Sequence, residues 1–316
     1  MTDVDNLDPS LPSAPLSRSD ECEEADVVTI AAKADWQQGQ DALRDGVAQL
    51  TTLLRSVRDP GVAAVGQWSL GEVAMHLSQA WIAVPGLARR DPSWVNDVVP
   101  SLAGTAGDSL IRDIGDLGET TILGVRSDPE RDPRVLADRI EARAQEYFSE
   151  CVGADPDAPR PWLVQGATVR QSTLTYHLLN ETVMHGGDIA HAAGRRWQIE
   201  PTHAAMVVGR FLVPVLQALD PRAMLDAEQA TGLRATYDIH IRGGDRFHFT
   251  FNDGALTVEE PTSRDVDCHI SADPVAFLRV AWSRQGQWSA IAKGKLLAWG
   301  RKPWLGPRFK GLIRNP

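Results

Sequence analysis

The chain has 316 residues, 43% hydrophobic and 23% charged, long for one compact domain and sufficient for two with real cores. No interval carries 18 uninterrupted apolar residues, so no transmembrane helix and no stable membrane insertion are expected. The net charge is −10, of which residues 1–30 contribute −7; the remaining body is near neutral and holds no nucleic-acid-reading motif, which argues against a nucleic-acid partner.

The opening stretch, MTDVDNLDPSLPSAPLSRSDECEEAD, lacks the basic and apolar regions of a secretory signal. It is acidic, rich in Pro and Ser and poor in large apolar residues, so a disordered acidic tail is expected over residues 1–30. From Asp35 to Arg58, Leu43, Val47, Leu50, Leu53, Leu54 and Val57 recur at helical spacing, and Asp59-Pro60-Gly61 stops the helix. In QWSLGEVAMHLSQAW, Ser69 and Glu72 have the spacing of a capping box, so a helix is expected to start near Leu70 and carry His76 about two turns in. Residues 94–130 leave the reading open, with one helix expected inside. DPRVLADRIEARAQEYFSECV is a helix entered through Asp132-Pro133, and 153–162 reads as a linker. QSTLTYHLLNETVMHGGDIAHAAG is the next helix, ending at Gly194, and HAAMVVGRFLVPVLQAL after Pro201 is another, interrupted by Pro214.

Past Pro221 the texture changes to short alternating runs separated by Gly-Gly, Asn-Asp-Gly and Pro, the pattern of an antiparallel meander. DPVAFLRVAWSR then reads as a helix, KGKLLAWG as a strand and WLGPRFKGLIR as a last short helix. The whole is an α+β multidomain chain: a helical bundle over residues 31–222, then a small α+β domain over 230–316. There is no internal repeat, P-loop or GxGxxG fingerprint. Acids vanish after Asp273 while nine cations from Arg279 to Arg314 remain, leaving a basic C-terminal patch. Cys22, Cys151 and Cys268 are odd in number and form no CxxC pair, which fits a reducing compartment, with the cytoplasm as default. The 27 arginines against 5 lysines carry the bias of a GC-rich coding genome.

Glu181 and His185 stand four apart and project from one helix face, close enough to bind one metal ion. Two ligands do not hold a catalytic metal; a third must come from another element, and His76 is the best placed. Asp188, one turn beyond His185, is positioned to hold the other imidazole nitrogen. Taken alone, Glu-x-x-x-His is a common pattern that more often forms a solvated or satisfied polar pair. His177, one turn before Glu181, is open to two readings, an additional polar neighbour or, the favoured one, a surface residue; His191, His240, His248 and His269 read as structural or solvent-facing.

QWSLGEVAMHLSQAW resembles the W-(T/S)-x-x-(D/E)-x-x-x-H-(L/V) segment of the DinB-like, mycothiol-dependent maleylpyruvate isomerase family. LLNETVMHGGDIAHAAGR resembles that family's E-x-x-x-H-x-x-D-x-x-x-x-x-G helix, in the right order. The resemblance covers roughly residues 36 to 220, and the C-terminal part resembles a sterol-carrier-protein-2-like (SCP2-like) domain. It implies a four-helix bundle holding zinc through His76, Glu181 and His185, with mycothiol, the small thiol of actinobacteria, as cosubstrate. A His2Glu set also admits nickel, copper or iron. The implied assisting arginine matches Arg284 in VAWSR, although Ser283 stands where the family has glycine; Arg301 in AWGRKPW is the competing match.

The implied reactions are cis–trans isomerisation of a small electrophilic or carboxylate substrate, or S-transfer. No cysteine falls in the motifs, so the nucleophile would be the cosubstrate thiol. The alternative is a lipid or small-ligand binding protein of the sterol-carrier type with a structural metal. Phe247, Phe249, Phe251, Phe277, Trp282, Trp288, Trp299 and Trp304 are expected to form the C-terminal core. Trp299 and Trp304 also lie in the basic tail, where they could touch an anionic membrane or a charged ligand.

Overall fold

A computed structural model describes residues 18–104 and 111–314 of the chain. Helix α1 (Arg18–Ser56) buries Trp36, Leu43, Val47, Leu50 and Leu54. It begins inside the span expected to be a disordered tail: residues 18–30 are helical, and residues 1–17 lie outside the described residues. Between Pro15 and Gly39 there is neither proline nor glycine, so nothing breaks a helix whose later turns are anchored by Trp36.

A ribbon of β1 (Ala63–Val65) and β2 (Trp68–Ser69) leads into α2 (Leu70–Arg89). The stretch that was open in sequence holds α3 (Trp94–Val98) and α4 (Leu117–Ser127). Helix α5 (Pro133–Glu150) starts at Asp132, whose side chain accepts from the Arg134 amide, and places Pro133 where a missing N–H costs nothing. The expected linker instead contributes β3 (Pro159–Pro161), paired antiparallel with β4 (Thr168–Arg170), from which α6 (Gln171–Ala192) departs directly. Helices α1 and α2 each pack against both α5 and α6, making the four-helix bundle. Trp36 Nε1 donates to Thr175 Oγ1 at 2.7 Å and Tyr147 Oη lies 2.8 Å from the same hydroxyl, so one buried threonine ties three helices.

Helix α7 (Pro201–Val207) runs through a π turn at Val208–Leu212 into α8 (Val213–Ala218). Pro214 therefore does not end the helix. The wider turn before it is where the hydrogen-bond ladder adjusts to the missing N–H.

After α9 (Ala227–Ala230) come β5 (Arg234–Ile241), β6 (Arg246–Asn252), β7 (Leu256–Glu259), β8 (Cys268–Ala272), α10 (Pro274–Ala281), α11 (Gln287–Ala292), β9 (Leu296–Trp299) and α12 (Phe309–Leu312). The sheet order is β7-β6-β5-β8-β9. It is not a pure meander, because β8 pairs parallel to β5. The 260–267 connection returns the chain from the β7 edge to the far side of β5. Tyr237, Ile239, Phe249 and Phe251 are buried, and Phe309 meets Tyr237 edge-on at 5.2 Å. On the alternate strand positions, Glu259, His248, Asp238, His269 and Trp299 align in one row across all five strands. Trp288, Trp299 and Trp304 are 65%, 50% and 63% exposed, so these three are not core, contrary to expectation. Among the described residues no helix is long and apolar enough to cross a membrane.

Candidate metal centre

The capping box sets where α2 begins: Ser69 Oγ accepts from the Glu72 amide at 3.3 Å and Glu72 Oε2 accepts from the Ser69 amide at 2.8 Å. Two turns on, His76 faces α6, with its Nε2 3.0 Å from Glu181 Oε2. His185 Nε2 approaches the same oxygen at 3.5 Å, and the two imidazole rings stand 4.9 Å apart and nearly perpendicular. One donor atom from each of His76, Glu181 and His185 falls within 4.8 Å of the others. The three residues are half-buried and line a cavity of about 510 Å³ that also meets Trp68, Trp94, Met184, Trp282 and Arg284.

Burial holds the His76 imidazolium back, against the pull of its bond to Glu181, so its pKa lies below the ordinary 6.5 and the ring is neutral at pH 7. Burial also works against the Glu181 carboxylate, but hydrogen bonding from His177 and His76 outweighs it and keeps the carboxyl well below the ordinary range. His185 Nδ1 is 3.0 Å from Asp188 Oδ2. Arg284 clasps the same carboxylate, Nε to Oδ1 at 3.1 Å and Nη2 to Oδ2 at 2.8 Å. Burial would raise Asp188, yet the bonds from His185 and Arg284 prevail and its pKa is lowered. The Asp188 carboxylate accepts from His185 Nδ1, which turns the Nε2 edge of the ring toward Glu181.

The structure thus brings together His76, Glu181, His185, Asp188 and Arg284. Ser283, where glycine was expected, adopts φ 58°, the left-handed region glycine favours, and this turn after α10 aims Arg284 at α6. Arg301 is elsewhere, paired with Asp265 at 3.4 Å and Asp267 at 2.7 Å. His177 is buried and not on the surface. It stacks on Phe211 at 4.6 Å, and its Nε2 lies 3.6 Å from Glu181 Oε1. Its position four residues before Glu181 was the signal for a shared face. Phe211, from the π turn, carried no signal in sequence. Cys151 and Cys268 are free and buried, and burial pushes each thiol up to about 11, so neither is poised as a nucleophile.

A four-helix bundle with a triad of two histidines and one glutamate facing a cavity, fused to a five-stranded α+β unit, defines the class: a two-domain α+β protein with a three-donor site between bundle helices. The chain belongs to the mycothiol maleylpyruvate isomerase N-terminal domain family, whose model matches residues 31–190. Residues 216–300 match the SCP-2 sterol transfer family, so the sheet unit is an SCP2 domain.

Two solved structures of the mycothiol-dependent maleylpyruvate isomerase, one of them a histidine-to-alanine mutant, are 14% and 13% identical. Each alignment covers 83% of this chain and 92% of the other, with a TM-score of 0.47. A ubiquinone synthesis protein, UbiJ-SCP2, is 17% identical over 27% of this chain and 70% of its own, with a TM-score of 0.22. No curated protein matches the chain.

Proposed function

We propose that His76, Glu181 and His185 hold a divalent cation, zinc foremost, and that the protein uses mycothiol to isomerise a cis double bond or to transfer sulfur to an electrophile. The observation that carries this reading is the convergence of three donor atoms from two helices within 4.8 Å, backed by the Asp188–Arg284 pair behind His185. The donor set fits such an ion: a neutral His76, an ionised Glu181 and a His185 oriented by a carboxylate are the states metal ligation requires. When bound, the cation lowers the pKa of a coordinated thiol toward neutrality.

Each side chain then has a definite task. Asp188 fixes the His185 ring and its tautomer, and His177 steadies Glu181 from the opposite side. Arg284 keeps Asp188 ionised and brings positive charge to the cavity wall, where carboxylate or enolate charge on a substrate would gather. Trp68, Trp94 and Trp282 give the cavity wall apolar surface beside the triad. In the isomerisation, the mycothiol thiolate adds to one carbon of the activated cis double bond and the electron pair moves to the neighbouring carbonyl. The carbon–carbon bond, now single, rotates; the electron pair returns and the thiolate leaves, giving the trans product. In S-transfer the thiolate instead displaces a leaving group or opens an epoxide.

The test is metal content by plasma mass spectrometry on protein purified without a metal-affinity step. About one zinc per chain is expected in wild type and a large loss in His76→Ala, Glu181→Ala and His185→Ala. Full metal in all three variants, or none in wild type, would refute the assignment.

A further inference from the structure

A second cavity, of about 380 Å³, lies between the bundle and the SCP2 domain. Phe211, Leu212 and Leu216 wall it on one side, and Phe249, Phe277 and Ile291 on the other, so neither unit encloses it alone. Its size is that of a pocket for a ligand of many heavy atoms, and its lining is overwhelmingly apolar. Apolar cavities well under half this volume already take up apolar guests, because water gains too few hydrogen bonds there.

Two features fix what the cavity would hold. Leu117, Leu163, His177, Glu181 and Trp282 border both this cavity and the one that holds the triad. Elsewhere along the lining are Lys310 and Arg314. Lys310 is half-buried and makes no hydrogen bond or ion pair with any described residue. A half-buried ammonium without a partner favours an anionic group beside it.

We infer that the electrophile used at the triad is an amphiphile whose apolar chain fills the cavity between the two domains, with its reactive end at the Glu181–His177 wall and an anionic end at Lys310. This rests on the triad being the reaction centre, and it places the substrate among long-chain acids rather than small polar dicarboxylates. The SCP2 domain then serves as the second wall of the substrate site, not as a separate carrier.

The experiment titrates the full chain with cis-parinaric acid, a linear fluorescent acid, and follows displacement by dodecanoate and by dodecanol. One saturable site per chain is expected. Leu212→Trp from the bundle side and Ile291→Trp from the sheet side should each weaken binding at least tenfold, and far-ultraviolet circular dichroism checks that both variants fold. Lys310→Glu should weaken dodecanoate several-fold and leave dodecanol unchanged. In cobalt-loaded protein, dodecanedioate, whose second carboxylate reaches the triad when the first lies at Lys310, should shift the visible spectrum and maleate should not. The inference is overturned by absence of saturable binding, by unchanged affinity in both folded tryptophan variants, or by a cobalt spectrum that answers to maleate alone. Parinaric acid binding in a wild type that holds no metal would sink the reading of the triad while leaving the cavity's ligand class intact.

Discussion

Asp188 lies one helical turn from His185 and 96 positions before Arg284 in the chain, and it touches both. Its removal should be felt at the proposed metal site before it is felt in the fold. Asp188→Asn is expected to weaken metal affinity by about 10- to 100-fold, the usual cost of losing such a partner, as read by competition with a chromophoric chelator. Arg284→Ala should keep stoichiometric metal and lower turnover with thiol; unchanged turnover would remove the arginine from the chemistry. The Glu181, His185 and Asp188 spacing was legible because i, i+4 and i+7 fall on one helix face whatever surrounds it. The role of His177 was not. An imidazole on that face reads as solvated until Phe211, 34 residues later, is seen to cover it.

Helix α6 shows why an element can hide its importance. Its buried residues include Thr173, Thr175, Asn180 and Thr182, so it lacks the apolar stripe of a surface helix: the bundle and the π turn cover it from several sides. Gly186 permits one of those contacts, since a Cβ there would overlap the Trp197 indole, which donates to the Val183 carbonyl at 2.9 Å. Gly186→Ala should cost about 1–3 kcal/mol by overpacking, seen as a lower Tm, and truncation of Trp197 to Leu in the same chain should recover part of it.

In the sheet, Asp238 is buried and accepts from Arg246 and from His269 Nδ1 at 2.6 Å, with His248 3.8 Å away. Burial pushes its pKa up, but the bonds from Arg246 and His269 outweigh this and lower it below 3.8. Its stabilising contribution is therefore present above pH 3.8 and lost as the pH falls through the lower folded value. Asp238→Asn should destabilise the protein by about 2 kcal/mol at pH 7, and denaturant midpoints should converge with wild type only once the pH falls below the carboxyl's lowered folded pKa.

At the scale of the molecule, Arg210 joins the two domains. From the π turn it reaches Asp35 of α1 at 2.9 Å and Asp245, in the turn between β5 and β6, at 2.6 Å. These pairs are partly exposed, so each contributes on the order of 1 kcal/mol or less. Arg210→Ala should leave each domain folded and loosen the contact between them, measured as faster amide exchange in residues 208–212 and 243–247 with little change in Tm.

The sequence alone determined the helical bundle, the start of α2, the α+β character of the C-terminal domain and the shared helix face of Glu181 and His185. All of these follow from local rules: apolar periodicity, a capping box, turn residues and the fixed geometry of a helix face. Tertiary structure decided the rest. It turned the meander into a mixed sheet, carried α1 back to Arg18, buried His177 under Phe211, chose Arg284 over Arg301 as the arginine facing Asp188, and enclosed an apolar cavity between domains. Each of those outcomes depends on residues far apart in the chain meeting across packed surfaces, and no local pattern encodes which distant surface a given face will meet.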